Sequence, residues 1–218
     1  MELLNIKYKI CERQFSLDKQ SMVKQCKLAI SCCELCQGTD LIHPLLCRYC
    51  MADLPRLLLA QCQYNLLNWP AIDKLFPHRH FDHLLALTPY LWPIDNWLKQ
   101  LKFHNRFELA DLLGFLLGQM WQQTKINPKN VVLMSVPSHI SNWQRRGYNQ
   151  AHLIAQAFAH YSGITYLPHA LTRILASKSQ VEQSGQERRR NLKNAFKVTG
   201  FSAIAASHVL LLDDVITT

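Results

Sequence analysis

The sequence lacks any long uninterrupted apolar run and any continuous apolar segment near its start. The short runs at residues 57–60 and 209–212 fall well below the roughly 18 residues that a membrane-spanning helix needs. Residues 1–31 carry charged side chains throughout, unlike the apolar core of a signal peptide. We therefore expect a cytoplasmic protein without membrane insertion, in which disulfides are rare and clustered cysteines more often hold a metal.

Acidic residues are also scarce, with 15 against 24 basic ones and a net charge of +9. Part of the excess lies in residues 173–197, which contain seven basic and two acidic side chains. Such a segment attracts the phosphates of a nucleic acid or of a small anionic ligand, or it forms a solvated helix face. Its central residues are candidates for nucleic-acid contact: Arg188, Arg189 and Arg190.

Length and composition indicate one ordinary domain and one small module. Hydrophobic residues make up 49% and charged residues 18% of the 218, as in globular proteins with a packed core. We divide the chain into a loosely ordered lead-in (1–31), a cysteine-bearing module with a following leucine-rich helix (32–69), a linker rich in proline and basic groups (70–80) and a larger domain (81–218).

The larger domain alternates helical and strand patterns. Apolar residues recur at helical spacing around residues 97–117 and 151–159, whereas residues 131–136 and 209–212 are short apolar runs typical of strands. This alternation predicts an α/β fold with a parallel sheet flanked by helices. Ligands of such sheets bind beyond the carboxyl ends of the strands.

Two cysteine pairs predict a metal site in the small module. Cys33 and Cys36 form one CxxC turn, Cys47 and Cys50 form another, and ten residues separate them. Four thiolates complete the tetrahedral shell of a structural zinc and leave no open position for metal catalysis. Cys32 is an alternative ligand beside Cys33. The remaining cysteines lack a partner at ligand spacing and are interpreted as ordinary thiols: Cys11, Cys26 and Cys62.

The run from His208 to the last residue is an apolar strand followed by Asp213, Asp214 and the start of a polar loop at Thr217 and Thr218. Adjacent carboxylates at a strand end can accept hydrogen bonds from the two hydroxyls of a ribose. A following Thr/Gly loop can hold a phosphate on backbone N–H groups. Acids in this position also cap strands or bind Mg²⁺, so the motif alone leaves these alternatives open.

The run LLLDDVITT resembles the phosphoribosyl pyrophosphate (PRPP) motif of type I phosphoribosyltransferases, and the chain from Cys33 onward resembles the ComF family of competence-associated proteins. Three more segments match that family in order: Leu101-Lys102-Phe103-His104 with Arg106 and Leu109-Ala110; Val136-Pro137 with Arg145-Arg146-Gly147-Tyr148-Asn149-Gln150; and Gln180, Glu187-Arg188, Asn191 and Ala195-Phe196. The resemblance implies a type I phosphoribosyltransferase-like domain preceded by a zinc ribbon.

The resemblance also implies residue roles. Asp213 and Asp214 would contact the ribose of PRPP, and Thr217 and Thr218 would begin its phosphate loop. Arg145 and Arg146, in the loop where type I enzymes hold pyrophosphate, would clamp phosphates, since arginine suits bidentate oxyanion contacts. Their alternative is solvent-facing charge. Asn149 and Gln150 are expected to fix the turn and open the next helix rather than touch a ligand.

At the level of function, the resemblance implies DNA uptake and the handling of single-stranded DNA, with PRPP and Mg²⁺ as ligands and competence or recombination proteins as partners. One alternative is an active phosphoribosyltransferase that acts on a base or amine, and another is a plain nucleic-acid-binding module. The family's loop continues past Thr218 into a helix and a strand, so we expect the domain to be incomplete at its C-terminus.

Overall fold

The structure is a computed structural model, and it describes residues 31–138, 144–174, 195–199 and 208–216. The chain divides into two compact units, Met1–Cys50 and Met51–Thr218. This division falls earlier than the linker that the sequence predicts at residues 70–80. The stretch that follows the cysteines therefore groups with the second unit.

The first unit contains a small antiparallel hairpin. Its strands are β1 (Leu41–His43) and β2 (Leu46–Cys47), and helix α1 (Arg48–Ala52) begins directly after β2. His43 pairs with Leu46, so the chain reverses at Pro44 and Leu45. The hairpin thus carries the second cysteine pair back toward the first, because the backbone N–H of Glu34 donates to the carbonyl of Leu45 at 2.9 Å.

The leucine-rich stretch at residues 54–68 differs from its prediction as one helix. It forms two short 3-10 helices, Leu59–Cys62 and Leu66–Asn68, followed by the short helix α2 (Pro70–Asp73). Gln63 and Tyr64 adopt left-handed backbone angles, with φ of 54° and 59°, and therefore interrupt the helical path. The prediction of a single helix is therefore wrong. The sequence does not indicate the break, because neither glutamine nor tyrosine is typical of left-handed backbone angles.

The second unit is built on a parallel sheet. Its strands β3 (Val131–Ser135), β4 (Thr165–Tyr166) and β7 (His208–Leu212) are arranged in the order β4-β3-β7. Every residue of β3 is buried, as expected for a central strand of a covered sheet. A separate antiparallel pair consists of β5 (Leu171–Arg173) and β6 (Phe196–Val198).

Three longer helices accompany the sheet: α3 (Ile94–Phe103), α4 (Glu108–Gln123) and α5 (Gln150–Ser162). Helix α5 connects β3 to β4, which is the crossover that two parallel strands require. The predicted mixed α/β fold, with a parallel sheet and flanking helices, is confirmed. Among the described residues, no helix is both long and apolar enough to cross a membrane.

Helices α4 and α5 touch at two glycines one turn apart. A Cβ atom on Gly114 would lie 2.3 Å from the Cβ of Ala157 and 2.7 Å from the backbone nitrogen of Phe158. A Cβ atom on Gly118 would lie 2.6 Å from the Cβ of Tyr161. These obstacles belong to the rigid part of α5, so the two helices can pack this closely only because both positions lack a side chain.

Replacing Gly114 with alanine is therefore expected to destabilise the protein. Alanine stabilises a helix by about 1 kcal/mol relative to glycine. Overpacking against a backbone costs about 1–3 kcal/mol or more, so the net effect is destabilising. Urea unfolding should show a net decrease of about 1–2 kcal/mol. Gln122→Ala, at an exposed position of the same helix, is the control and should change stability by no more than about 0.5 kcal/mol. Equal stability of the two variants would contradict the close contact.

Candidate metal and ligand sites

The four cysteines of the two pairs converge in the first unit. The sulfur atoms of Cys33, Cys36, Cys47 and Cys50 all lie within 4.8 Å of one another, and those of Cys36 and Cys47 are 3.6 Å apart. The first pair lies on a tight turn, and the second follows from the end of β2 into α1. The cluster predicted from spacing alone is confirmed as a group that could bind a metal.

The dimensions and hydrogen bonds of this cluster suit a tetrahedral thiophilic ion. Sulfurs at about 2.3 Å from a zinc would be about 3.8 Å apart, so the group needs little contraction to enclose one. Backbone N–H groups of Gly38 and Cys50 approach the sulfurs of Cys36 and Cys47 at 3.4 and 3.3 Å. Such bonds orient the ligands and stabilise the thiolates.

The Cys33 thiol is already biased toward its thiolate form. Burial raises the pKa of this thiol, but backbone hydrogen bonds from Cys36, Cys47 and Leu35 outweigh that effect and lower the pKa to about 6. The neighbouring thiols shift the other way: burial and side-chain hydrogen bonds within the cluster raise the pKa of Cys50, and, against the lowering effect of the Gly38 N–H, hydrogen bonds to neighbouring thiols raise the pKa of Cys36. Metal binding, which needs thiolates, would therefore be accompanied by release of protons from the cluster.

The other cysteines of the described chain stand apart from the cluster. Cys32 is exposed, and its thiol lies 2.9 Å from the side-chain oxygen of Gln37, which favours Cys33 over Cys32 as the ligand. Cys62 is buried and donates to the carbonyl of Leu59 at 3.2 Å. Cys11 and Cys26 lie outside the described residues.

The second site lies where strands β3 and β7 end. The two strands run parallel, with Ser135 opposite Leu212, and the backbone N–H of Val136 donates to the carbonyl of Leu212 at 2.9 Å. Asp213 and Asp214 therefore leave the sheet at the same edge as the loop that follows Val136. This is the edge at which parallel sheets bind their ligands.

Asp214 is the better buried of the two acids. One of its carboxylate oxygens forms an ion pair with Lys102, at the end of α3, and lies 3.3 Å from the side-chain nitrogen of Gln150. The Lys102 and Asp214 side chains are 18% and 9% exposed, so water screens this pair only partly. Lys102 and Gln150 thus bring α3 and α5 to the end of β7.

Asp213 is the more exposed of the two acids. Its carboxylate accepts a hydrogen bond from the backbone N–H of Asp214 at 2.9 Å. The residue is exposed, yet the protein atoms around the carboxyl group desolvate it. That desolvation, aided by the neighbouring Asp214 charge and opposed by the Asp214 N–H and by Lys102, raises the pKa of Asp213 to about 6.

Arg145 and Arg146 lie over one aromatic ring beside the acids. The guanidinium carbons are 5.9 and 5.0 Å from the ring centre of Phe103. Arg146 also donates to the side-chain oxygen of Gln150 at 3.1 Å, so Gln150 links it to Asp214. The Nε atom of Arg146 is buried and has no hydrogen-bond partner in the described part of the chain, which leaves a donor for a ligand.

The turn before α5 fixes this arrangement. Asn149 donates to the carbonyl of Val136 at 2.9 Å, and its side-chain oxygen accepts from the N–H of Ala151 at 3.1 Å. Asn149 is thus the N-cap of α5, as predicted. Gly147 precedes it with φ of 78°, a backbone conformation that favours glycine.

The structure therefore brings together part of the predicted constellation. Arg146 and Asp214 meet through Gln150, Asp213 is adjacent, and Arg145 lies nearby over Phe103. Eight predicted positions lie outside the described residues: the loop residues Thr217 and Thr218, the basic residues Arg188, Arg189 and Arg190, and the family positions Gln180, Glu187 and Asn191.

Two residues of the site were not assigned a ligand-side role from the sequence. The sequence indicates Lys102 only as part of a Leu-Lys-aromatic element and Gln150 only as the start of a helix. The signal that the sequence offers for Lys102 is a basic residue next to an aromatic one at the end of a helical pattern. Nothing local indicates that Gln150 contacts Asp214, because the two residues are 64 positions apart in the chain.

Comparison with known proteins provides relatives with named roles. The chain is 34% identical over 141 residues to the DNA utilization protein YhgH of Salmonella typhi and 30% identical over 145 residues to that of Escherichia coli K12. Each match covers 63% of this chain and 61% of the relative. Competence protein F of Haemophilus influenzae is 29% identical over 191 residues, which are 85% of this chain and 78% of that protein.

These similarities agree with the resemblance to the ComF family that the sequence motifs carry. The four-cysteine cluster agrees with the resemblance drawn from the sequence motifs. The matched region spans 61% of the length of the DNA utilization proteins. No family model matches the chain, and no solved structure matches it either.

Proposed function

We propose that the chain is a ComF-like protein whose second unit binds PRPP and which acts in DNA uptake and in handling single-stranded DNA in the cytoplasm. The observation that carries the proposal is the meeting of Asp213, Asp214 and the Arg145–Arg146 loop at the carboxyl edge of β3 and β7. The names of the relatives, a DNA utilization protein and a competence protein, support the cellular role.

The chemistry of the site suits a sugar bearing phosphates. Carboxylate oxygens of Asp213 and Asp214 are acceptors for the two ribose hydroxyls, because each hydroxyl needs an acceptor once it leaves water. The unpaired Nε donor of Arg146 and the exposed guanidinium of Arg145 are suited to phosphate oxygens. Mg²⁺ would enter with PRPP.

Lys102 supplies a third positive group at the same edge. In the free protein its ammonium group contacts Asp214. On binding, the ammonium group would turn toward a phosphate oxygen. Gln150 would hold Asp214 during that exchange through its 3.3 Å contact. We therefore propose Lys102 as a phosphate-binding residue in addition to the arginines.

For the first unit we propose a structural zinc held by Cys33, Cys36, Cys47 and Cys50. The sulfur distances and the N–H groups directed at two of the sulfurs support this assignment. The hairpin carries few buried apolar side chains of its own, so such an ion would supply much of its folding free energy. The ion would have no open coordination position and no part in a reaction.

PRPP binding is expected to weaken as the pH falls through about 6. The pKa of Asp213 is raised to about 6, so acidification protonates this carboxylate and removes an acceptor from the ribose hydroxyls. Titration calorimetry of the full-length gene product with PRPP and Mg²⁺ should give an affinity about tenfold lower at pH 5 than at pH 7.5.

The control for this experiment is Asp213→Asn. The amide does not titrate, so the pH dependence that remains in this variant comes from groups other than the Asp213 carboxylate, such as the phosphates of PRPP. The wild-type dependence should be steeper than that of the variant. Equal dependence in the two proteins would contradict a role for the Asp213 carboxylate, and absence of PRPP binding at every pH would overturn the proposed ligand.

A further inference from the structure

An exposed aromatic cluster lies next to the acid site. Phe103 is 57% exposed at the end of α3, and Phe107 is 50% exposed just before α4. A single exposed phenylalanine is common on protein surfaces, but here two lie four residues apart and beside two arginines. We call the set Phe103, Phe107, Arg145, Arg146 and Tyr148 the aromatic platform.

The platform is held in place by specific contacts. The guanidinium groups of Arg145 and Arg146 stand over the ring of Phe103, and Arg146 is fixed by its bond to Gln150. The ring of Phe107 meets that of Tyr148 edge to face, with centroids 4.8 Å apart at 75°. The hydroxyl of Tyr148 in turn donates to the carbonyl of Leu101. Ordered rings lose little freedom when a ligand stacks on them.

We propose that the platform stacks a base of a single-stranded nucleic acid, with the neighbouring phosphates on Arg145. Every base has a flat π face, and an aromatic ring flanked by guanidinium groups offers both stacking and charge to a base and its phosphate. The net charge of +9 complements a polyanionic strand. The inference rests on the proposed role in handling single-stranded DNA and specifies where the strand would be held.

The charge and the rings make separable contributions. Arginines alone would attract any polyanion, including a strand without bases. The exposed rings add binding free energy by stacking only when the ligand carries a planar group. A strand of abasic residues has the same phosphates as an oligonucleotide of equal length. Comparing the two strands therefore isolates what Phe103 contributes.

The experiment measures fluorescence anisotropy of labelled oligothymidine and of an abasic strand of equal length. The wild-type protein is expected to bind oligothymidine about tenfold more tightly, the order expected for one stacked base. Phe103→Leu should lower the affinity for oligothymidine to that for the abasic strand. The affinity for the abasic strand itself should not change. Phe103→Trp should retain the preference, because indole stacks at least as well as phenyl.

Phe81→Leu is the matched control. Phe81 is also partly exposed, at 37%, but its ring contacts Phe76 and no arginine is stacked on it in the described residues. This variant should bind both strands as the wild type does. Thermal melting of all variants confirms that they fold, which is expected because Phe103 is exposed.

Two results would overturn the inference: equal wild-type affinity for the two strands, or an undiminished base preference in Phe103→Leu. A third would do so as well. If thymidine monophosphate bound as tightly as the strand and depended on Phe103 to the same extent, the occupant would be a free nucleotide rather than a strand. PRPP binding is measured separately by titration of the same proteins. If the wild type does not bind PRPP but its preference for oligothymidine still depends on Phe103, only the proposed ligand of the acid site is contradicted.

Discussion

Replacing Asp213 and Asp214 together with alanine is expected to abolish detectable PRPP binding. Both ribose hydroxyls lose their acceptors, and two hydrogen bonds to charged groups are worth about 1.5–3 kcal/mol each, so the affinity falls by at least two orders of magnitude. Titration calorimetry with PRPP and Mg²⁺ on the full-length gene product measures the loss. Unchanged affinity would refute the assignment of both carboxylates.

The control for this change removes the same charge elsewhere. Asp53 and Asp82 are exposed residues of the second unit, and their double replacement with alanine should leave PRPP binding as it is. Asp214→Ala leaves the partly buried Lys102 without its side-chain partner. Asp213→Asn with Asp214→Asn is therefore a second test variant, because the isosteric amide removes the charge but keeps an oxygen that can accept a hydrogen bond from Lys102. Release of pyrophosphate by the wild type with any free base would favour the phosphoribosyltransferase alternative.

Replacing Cys36 and Cys47 with serine is expected to remove the metal completely. The wild-type protein, purified without chelator, should contain one zinc per chain by elemental analysis, and the double variant none. Two thiolates cannot hold the ion as four do, and structural zinc contributes about 10–16 kcal/mol of binding free energy in small modules. Proteolysis should then cleave within residues 33–50 more readily, because the hairpin loses its main stabilising group.

Cys32→Ser is the matched control for the zinc measurement. Cys32 neighbours a ligand in sequence, but its thiol lies near Gln37 and outside the cluster of sulfurs. This variant should keep its zinc. If Cys32→Ser loses its zinc and Cys33→Ser keeps it, the fourth ligand is Cys32 and not Cys33. A wild-type protein without zinc would contradict the site as a whole.

The sequence predicts those parts of the fold and of the site that depend on local pattern. A few neighbouring residues suffice to predict three of them: the two cysteine pairs, the strands β3 and β7, and the cap at Asn149. The closeness of Asp213 to the Arg145 loop followed from one general rule, that parallel strands bring their carboxyl ends to one edge.

The remaining features depend on contacts between distant segments. Lys102 reaches Asp214 only because α3 ends beside β7, and Gln150, at the start of α5, contacts the same carboxylate from 64 positions away in the chain. The failed helix at residues 54–68 has a different cause. Gln63 and Tyr64 take left-handed angles that glycine usually marks, so their residue types give no warning.

The ion pair between Lys102 and Asp214 also affects how a ligand arrives. Two adjacent carboxylates would repel a pyrophosphate-bearing molecule as it diffuses toward the sheet edge, whereas Lys102 cancels one of those charges before any encounter. The field that such a molecule meets at long range is then dominated by Arg145 and Arg146, and it is attractive. The association rate should accordingly fall with rising ionic strength rather than increase, even though the ligand's destination is a pair of acids.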